Sequence, residues 1–529
     1  MFVGRKLDMG NYVVGIGGSG IRVLRAIIHN CAAGIIDVEK INILAIDADS
    51  ESIVWETLQQ EYEAYNKMRD VMLIKNESSN LFHTKIELLN KKEILSPVEY
   101  EKNCRNLEMS LASNDELERI MKFFYTKEER EKDLKEGFFA RPAIGCVFFS
   151  NFKDKIFNTF LEKVEYDIEQ GKRTNVVLIG SIFGGTGASG IPTIIKLIEE
   201  RIQNSTKRNV PHNAIEYLNM GAVFMLPYFK ASNCSEENAM IKMQNFWNTS
   251  KEAMEYFFEE KYLVPNKYQG SRSLQRLHLV GKEELDIVNF YAEGGKKQEN
   301  KPHIAEEYGA LAVRDFFRET SKENFDDQLK IMYWKVEKEI DWESLYFEKD
   351  NAEKSVRNRM GELAQFAAIY HVCIYRYIKE KSDRMMNPQW YKTYLYKLKK
   401  MTDEKAEECL KDVNTYCVNY LRWIYYMQTT LSIEGEEKNY KYNEQMALFG
   451  EVLEDVYKLV NMEPKKEKKV AEITKNVMNN LEKIITVGSG MGGFLKKTVK
   501  ILSALSTHGL FNGMGGIPQL IADLSEIIQ

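Results

Sequence analysis

The chain is poor in cysteine, and the few it has form no pair. Seven cysteines, Cys31, Cys104, Cys146, Cys234, Cys373, Cys409 and Cys417, are scattered over 529 residues. An odd number without CxxC spacing fits a reducing compartment and gives packing as their role. An excess of positive charge is also missing. The formal net charge is −5, and no basic stripe is interleaved with aromatics, which excludes a general nucleic-acid binder. Local lysine clusters such as Lys465-Lys466-Glu467-Lys468-Lys469 read as solvated helix surface. No apolar run approaches the ~18 residues of a membrane span, and Met1 to Asp8 has no apolar h-region. A cytoplasmic protein that neither spans a membrane nor binds nucleic acid is expected.

Hydrophobic residues make up 44% of the chain and charged residues 29%, enough for a large core and for two to four domains. The most informative stretch is Gly184-Gly185-Thr186-Gly187-Ala188-Ser189-Gly190. It follows the apolar run Val176-Val177-Leu178-Ile179-Gly180 and opens the helical pattern Ile191 to Ile198. Strand, glycine turn and helix in that order expose backbone N–H groups at the positive end of a helix dipole, which is how a chain grips phosphate. The pattern recurs near the N-terminus. There Asn11-Tyr12-Val13-Val14 leads into Gly15-Ile16-Gly17-Gly18-Ser19-Gly20 and the helical Ile21 to Ile28.

By itself the first turn reads as a Rossmann dinucleotide site, with Asp47 or Asp49 closing the second strand Ile41 to Ile46 as the ribose acid. That reading leaves the second turn unused. A Walker P-loop is excluded for both turns, since neither ends in Gly-Lys-Ser/Thr.

The order of motifs resembles the tubulin/FtsZ superfamily of GTPases, which cradle GTP between an N-terminal glycine turn and a central GGGTGSG-like turn. Phe183 to Pro192 is similar to the second turn, Ala45 to Ser50 to the AVNTDA segment, Ala140 to Gly145 to ANPEVG, and Val223 to Phe229 to VVTxPF. The chain departs from the family in three places. Phe183 replaces the first glycine of the triplet, Ala188 adds a residue, and Ile21-Arg22 stand where FtsZ has Gly-Asn. Divergent bacterial tubulin-like proteins share the turns and also a Gly-Gly…Asn-x-Pro-His segment, here Gly294-Gly295 and Asn300-Lys301-Pro302-His303. The resemblance covers about 60% of the chain.

The expected fold is α/β, a tubulin/FtsZ-like Rossmann-type parallel sheet with helices on both faces, followed by a mainly α-helical C-terminal region. The nucleotide-binding domain is placed at about 1–320, with Val71 to Ile74 as a strand and a helical insertion at about 76–136. A connector at about 321–350 leads to a helical domain at about 351–485, with helices near 352–382, 387–400, 403–432 and 443–485. The last segment, about 486–529, is a Gly-rich tail around amphipathic stretches, read as docking on its own globule, on a neighbouring subunit or on an anionic surface.

The resemblance implies GTP and Mg²⁺ as ligands. Phosphates are expected on Gly15, Gly17, Gly18, Ser19 and Gly20 and on Gly184, Gly185, Thr186, Gly187, Ala188, Ser189 and Gly190, with hydroxyl donors from Ser19, Thr186 and Ser189. Asp47 and Asp49 are the metal candidates. Arg22, Arg141, Pro142, Tyr228, Asn300, His303 and Tyr308 complete the nucleotide contacts. The water-activating acid of the family lies on a loop that enters the next subunit's site, and Asp341 or Glu343 in Glu339 to Leu345 matches it. The function implied is a GTP-binding GTPase that self-assembles into oligomers or filaments, with room for a partner protein on the helical region. Two alternatives stay open, a nucleotide-dependent switch or sensor in a bacterial stress or phage-defence system and a Rossmann-type NAD(P)-dependent oxidoreductase.

Overall fold

In the computed structural model the described residues are 9–73, 81–98, 105–111, 115–150, 155–231 apart from 206, 208, 209 and 212, 246–259, 274–288, 294–297, 301–337 apart from 327, 355–379, 389–394, 404–434, 437–442, 452–461, 504–505 and 517–528. The centre is a seven-stranded sheet of parallel pairs. Its strands are β1 (Met9–Ile16), β2 (Lys40–Ile46), β3 (Lys85–Leu88), β4 (Arg173–Ser181), β5 (Leu218–Met225), β6 (Arg276–Gly281) and β7 (Lys330–Lys335). In space they run β3-β2-β1-β4-β5-β6-β7. β1, β4 and β5 are buried along almost their whole length, which is why they read as continuous apolar runs: helices cover both faces of a parallel sheet.

Alternation along each strand sends neighbouring residues to different cores. Val13, Ile43, Val177 and Val223 join one cluster, and Tyr12, Val14, Leu44, Val176 and Ala222 join the other. The first cluster packs under α1 (Gly17–Ala32), α2 (Ile53–Leu73) and the helix Ile304–Thr320. The second packs under Pro142–Ser150, Lys155–Glu169 and Gly185–Gln203. In chain order the last four are α3 (Pro142–Ser150), α4 (Lys155–Glu169), α5 (Gly185–Gln203) and, after Phe246–Glu259 as α6, α7 (Ile304–Thr320).

The sheet is larger than the sequence reading drew it. Val71 to Leu73 are not a strand but the last turn of α2, whose buried residues Leu58, Tyr62, Tyr65, Met68 and Met72 recur at helical spacing. The third strand is Lys85–Leu88, inside the stretch read as an insertion. β7 lies beyond residue 320, inside the stretch read as a connector. Helices at Leu107–Leu111, Asp115–Phe124 and Lys127–Glu131 follow β3.

The C-terminal region is mainly helical: α8 (Val356–Ala368), continued by a π-helical stretch over Ile369–Tyr375, then α9 (Glu404–Met427), α10 (Val452–Asn461) and α11 (Ile517–Ile528). α9 ends before the helix boundary read near 432. Thr429–Glu434 and Glu437–Tyr442 pair instead as an antiparallel hairpin. The β-branched pair Thr429-Thr430 favours strand over helix. Of the long helix read near 443–485, the described part is Val452–Asn461.

These helices do not form a separate body. Tyr416, Tyr420, Trp423 and Ile424 of α9 belong to the same core cluster as α1 and α2. Arg25 of α1 grips Glu61 of α2 at 2.9 and 2.7 Å, and His29 Nδ1 lies 3.3 Å from the Tyr416 hydroxyl. Burial alone would raise the Glu61 carboxyl, but the Arg25 guanidinium and His29 more than reverse that and hold it at about 2. α11 is also in this core. Leu520, Ile521 and Leu524 are fully buried, and the Tyr394 hydroxyl bonds Asp523. Of the three docking sites weighed for the tail, its described terminal helix takes the chain's own globule. Phe494, Val499 and the tail glycines lie outside the described residues.

Candidate functional site

Strand order reverses between β1 and β4: from β1 the chain builds outward through β2 and β3, and from β4 it builds the opposite way. In an open parallel sheet, the crevice at the carboxyl ends of the two strands flanking such a reversal is where ligands bind. Ile16 of β1 and Gly180 of β4 are register partners, so α1 and α5 start side by side there. Neither helix has a side-chain N-cap hydrogen bond or an acid in its first turn. The leading N–H groups of both lack intrahelical partners, and both positive dipole ends face one crevice.

The two glycine turns touch. Gly17 adopts φ +75°, and a Cβ placed on it would lie 3.4 Å from the Gly187 nitrogen and 3.4 Å from Thr186 Cβ. Gly18, Ser19 and Gly184 are half-exposed at this junction, whereas Gly15, Gly17, Gly20 and Gly185 to Gly190 are buried. Burial in the second turn has a specific cause. A Cβ on Gly187 would collide with the Ser181 carbonyl oxygen, one on Gly185 would sit 2.6 Å from Phe138 Cβ, and one on Gly190 would sit 2.7 Å from Phe149 Cζ. Those glycines permit close packing of the chain on itself. The exposed backbone of the pair belongs to Gly18, Ser19 and Gly184.

Asp47 and Asp49, both 5% exposed, follow the end of β2 beside this junction. The Thr186 hydroxyl donates to Asp47 Oδ1 at 3.0 Å, bridging the loop after β2 to the first turn of α5. Asp49 accepts the Gly295 N–H at 2.7 Å and the Glu51 N–H at 3.1 Å. Burial, with the Asp49 charge adding to it, pushes the Asp47 carboxyl up to about 7, against the Thr186 bond, which favours the charged form. Among the described residues no three His, Cys, Asp or Glu side chains gather as a closed metal site. Two adjacent carboxylates fit Mg²⁺, which takes one or two protein oxygens and completes its shell with phosphate and water.

Of the hydroxyls expected on phosphate, Thr186 serves Asp47, and Ser189 donates back to the Gly185 carbonyl at 2.7 Å while fully buried. Ser19 is hydrogen-bonded to Tyr228, a buried phenol whose ionisation is pushed up by burial and by Glu306. The Tyr228 ring lies 4.8 Å from that of His303. His303 Nδ1 caps α7 by accepting the Ala305 N–H, and its Nε2 is 2.8 Å from Asp286 Oδ2. Both ring nitrogens thus have protein partners. Arg22 of α1 approaches Glu306 Oε1 at 3.7 Å and the Lys301 carbonyl at 3.5 Å. The Tyr308 ring stands edge-on to Trp334 in the core.

The third loop also reaches the junction. Phe139 and Ala140 adopt φ 49° and 54°, a left-handed pair of non-glycine residues that costs on the order of 1 kcal/mol or more each. This turn presses Phe138 and the Arg141 nitrogen against Gly185. Pro142 opens α3, and Arg141 Nε pairs with Glu129 at 2.8 Å. Gly295, Glu306, Asp286 and the strained Phe139-Ala140 turn were missed as site residues. Gly295 carried a signal, within the Gly-Gly that precedes Asn300, and so did Ala140, which opens the segment similar to ANPEVG. Asn300, Asp341 and Glu343 lie outside the described residues.

No family model matches the chain, and no curated protein matches it. Solved structures do. CetZ from Methanosaeta thermophila aligns at a TM-score of 0.27 with 13% identity, over 61% of this chain and 57% of that one. TubZ of Bacillus thuringiensis serovar israelensis, in a GTPγS-form protofilament, aligns at 0.25 with 10% identity, over 60% and 58%. The chain therefore spans under three-fifths of the length of either structure. At these scores the site stands on its own geometry.

Proposed function

We propose that the chain binds GTP with Mg²⁺, phosphates lying between the Gly17–Ser19 and Gly184–Thr186 turns, and that the nucleotide governs self-association into oligomers or filaments. The observation that carries this is the meeting of two uncapped helix N-termini at the reversal of strand order, with paired carboxylates beside them. Backbone N–H groups of both first turns supply donors to phosphate oxygens, and Asp47 and Asp49 hold the metal. Bound Mg²⁺ neutralises phosphate charge and keeps both carboxylates ionised. Hydrolysis of this kind depends on positioning a water and balancing charge, with little covalent work for the protein. Asp341 or Glu343 from a neighbouring copy is the proposed water-activating acid.

A second reading, a switch that signals through its helical region, is favoured by one observation. α9 and α10 share a core with α1, the helix that begins at the phosphate turn. Calorimetry with GTP and Mg²⁺ tests binding. Turnover per subunit as a function of protein concentration separates the two readings, because an acid supplied in trans makes specific activity climb with assembly and a switch does not. An NAD(P)-dependent oxidoreductase would instead bind NADH in the same titration.

A further inference from the structure

A cavity of about 330 Å³ lies where α1, α2 and α9 meet, beside the Lys301-Pro302 approach to α7. Arg22 forms part of its wall, and Arg22 stands three residues beyond Ser19 on α1. The cavity is therefore about one helical turn from the first glycine turn and on the same side of that helix. The facing wall is the C-terminal region: Asn419, Arg422, Trp423 and Tyr426 of α9. A ligand anchored by phosphates at the turn has this cavity as the adjacent space.

Its chemistry is one-sided. Arg22 and Arg25 are buried in the wall, and Lys301 and Arg422 are exposed at the rim, Arg422 Nε donating to Asn461 Oδ1 at 3.1 Å and its two Nη groups making up the fork. The one acid among the lining residues, Glu61, is held by Arg25. Tyr426 adds a flat aromatic face, with Lys301 Nζ 5.2 Å from its ring centroid, and Trp423, buried 4.5 Å from the His29 ring, backs the wall from the core. A guanidinium fork matches a base edge carrying two adjacent acceptors, which guanine offers at O6 and N7. Adenine puts an amino donor at the same edge, donor against donor. Aromatic faces accept either base by stacking.

We infer that α9 reads the base of the bound nucleotide, with Arg422 as the residue that selects guanine over adenine and Tyr426 as the stacking face. This rests on the nucleotide reading above and extends it, since base recognition then comes from the helical region and not from the glycine turns. Nucleotide occupancy would in this way join α1 to α9.

The test is calorimetry on the full chain with Mg²⁺ and three probes, GTP, ATP and inorganic tripolyphosphate. The wild-type chain is expected to bind GTP about tenfold or more tighter than ATP. Arg422→Lys, which keeps the charge and removes the fork, should bring GTP down to the ATP level while tripolyphosphate binds as before. Tyr426→Leu, which removes the stacking face, should weaken GTP and ATP several-fold alike and leave tripolyphosphate binding as before. Equal affinities for GTP and ATP, or an Arg422→Lys variant that keeps wild-type preference, would overturn the assignment and leave the phosphate site standing. A wild-type chain that binds neither GTP nor tripolyphosphate would overturn the nucleotide reading and this inference with it.

Discussion

The two glycine turns look alike in sequence and differ in what their glycines do. At Gly18-Ser19 the backbone is half-exposed at the crevice, next to Gly17, which is buried in a left-handed conformation. At Gly185 to Gly190 the missing side chains make room for Phe138, Ser181 and Phe149. A glycine in a phosphate-type turn thus has two separable uses, access for a ligand and close approach of the protein to itself. Only the first predicts a direct effect on binding.

The largest effect that tests this contrast is on stability. Gly187→Val drives a side chain into the Ser181 backbone and should destabilise the fold by on the order of 3 kcal/mol, seen as a fall in the urea midpoint without any ligand. Unchanged stability with lost nucleotide binding would put Gly187 in the same class as Gly18. Thr186→Ala should come next, at about 2 kcal/mol, because it strips a hydroxyl from the buried Asp47 carboxylate.

Asp47→Asn should act in the opposite direction. The folded chain keeps a proton on Asp47 up to about pH 7 that the unfolded chain releases near its ordinary value of 3.8. Stability without metal therefore falls as pH rises through that window. The variant should remove this fall and be more stable than wild type at pH 8 by about 1 kcal/mol, and added Mg²⁺ should stabilise wild type and not the variant. Thermal unfolding between pH 5 and 8, with and without Mg²⁺, reads both. Smallest on stability is Ser19→Ala, at a half-exposed position: under about 1 kcal/mol, with several-fold weaker binding of tripolyphosphate. If Ser19→Ala destabilised the fold as much as Gly187→Val, the contrast between the turns would collapse.

What was legible in the sequence follows from the same physics. Strands β1, β4 and β5 are buried on both faces, so their apolar runs and the glycine turns at their ends stood out. β3 did not, because Lys85-Ile86-Glu87-Leu88 is a short sheet-edge strand with charged residues at alternate positions. The last turn of α2 passed for a strand because Val71, Met72 and Leu73 are apolar neighbours whatever the backbone does. At the site, Asp47, Asp49 and the two turns could be read locally. The partners that complete it could not. Gly295 reaches Asp49 across 246 residues of chain, and the cavity at Arg22 is closed by α9, some 400 residues on. Sequence patterns report periodicity within an element and say little about which distant element closes a pocket.

The most direct test of the central claim, that phosphate lies between the two turns, is a calorimetric titration of GTP with Mg²⁺ into wild type and Gly18→Val. Gly18 is half-exposed in the first turn of α1, where the two glycine turns meet, so a branched side chain there covers the backbone proposed to grip phosphate. Wild type is expected to bind one GTP per chain in a Mg²⁺-dependent manner, and the variant, with a far-ultraviolet circular dichroism spectrum like that of wild type, to bind at least about a hundredfold more weakly. Equal affinity in the two proteins would contradict the account.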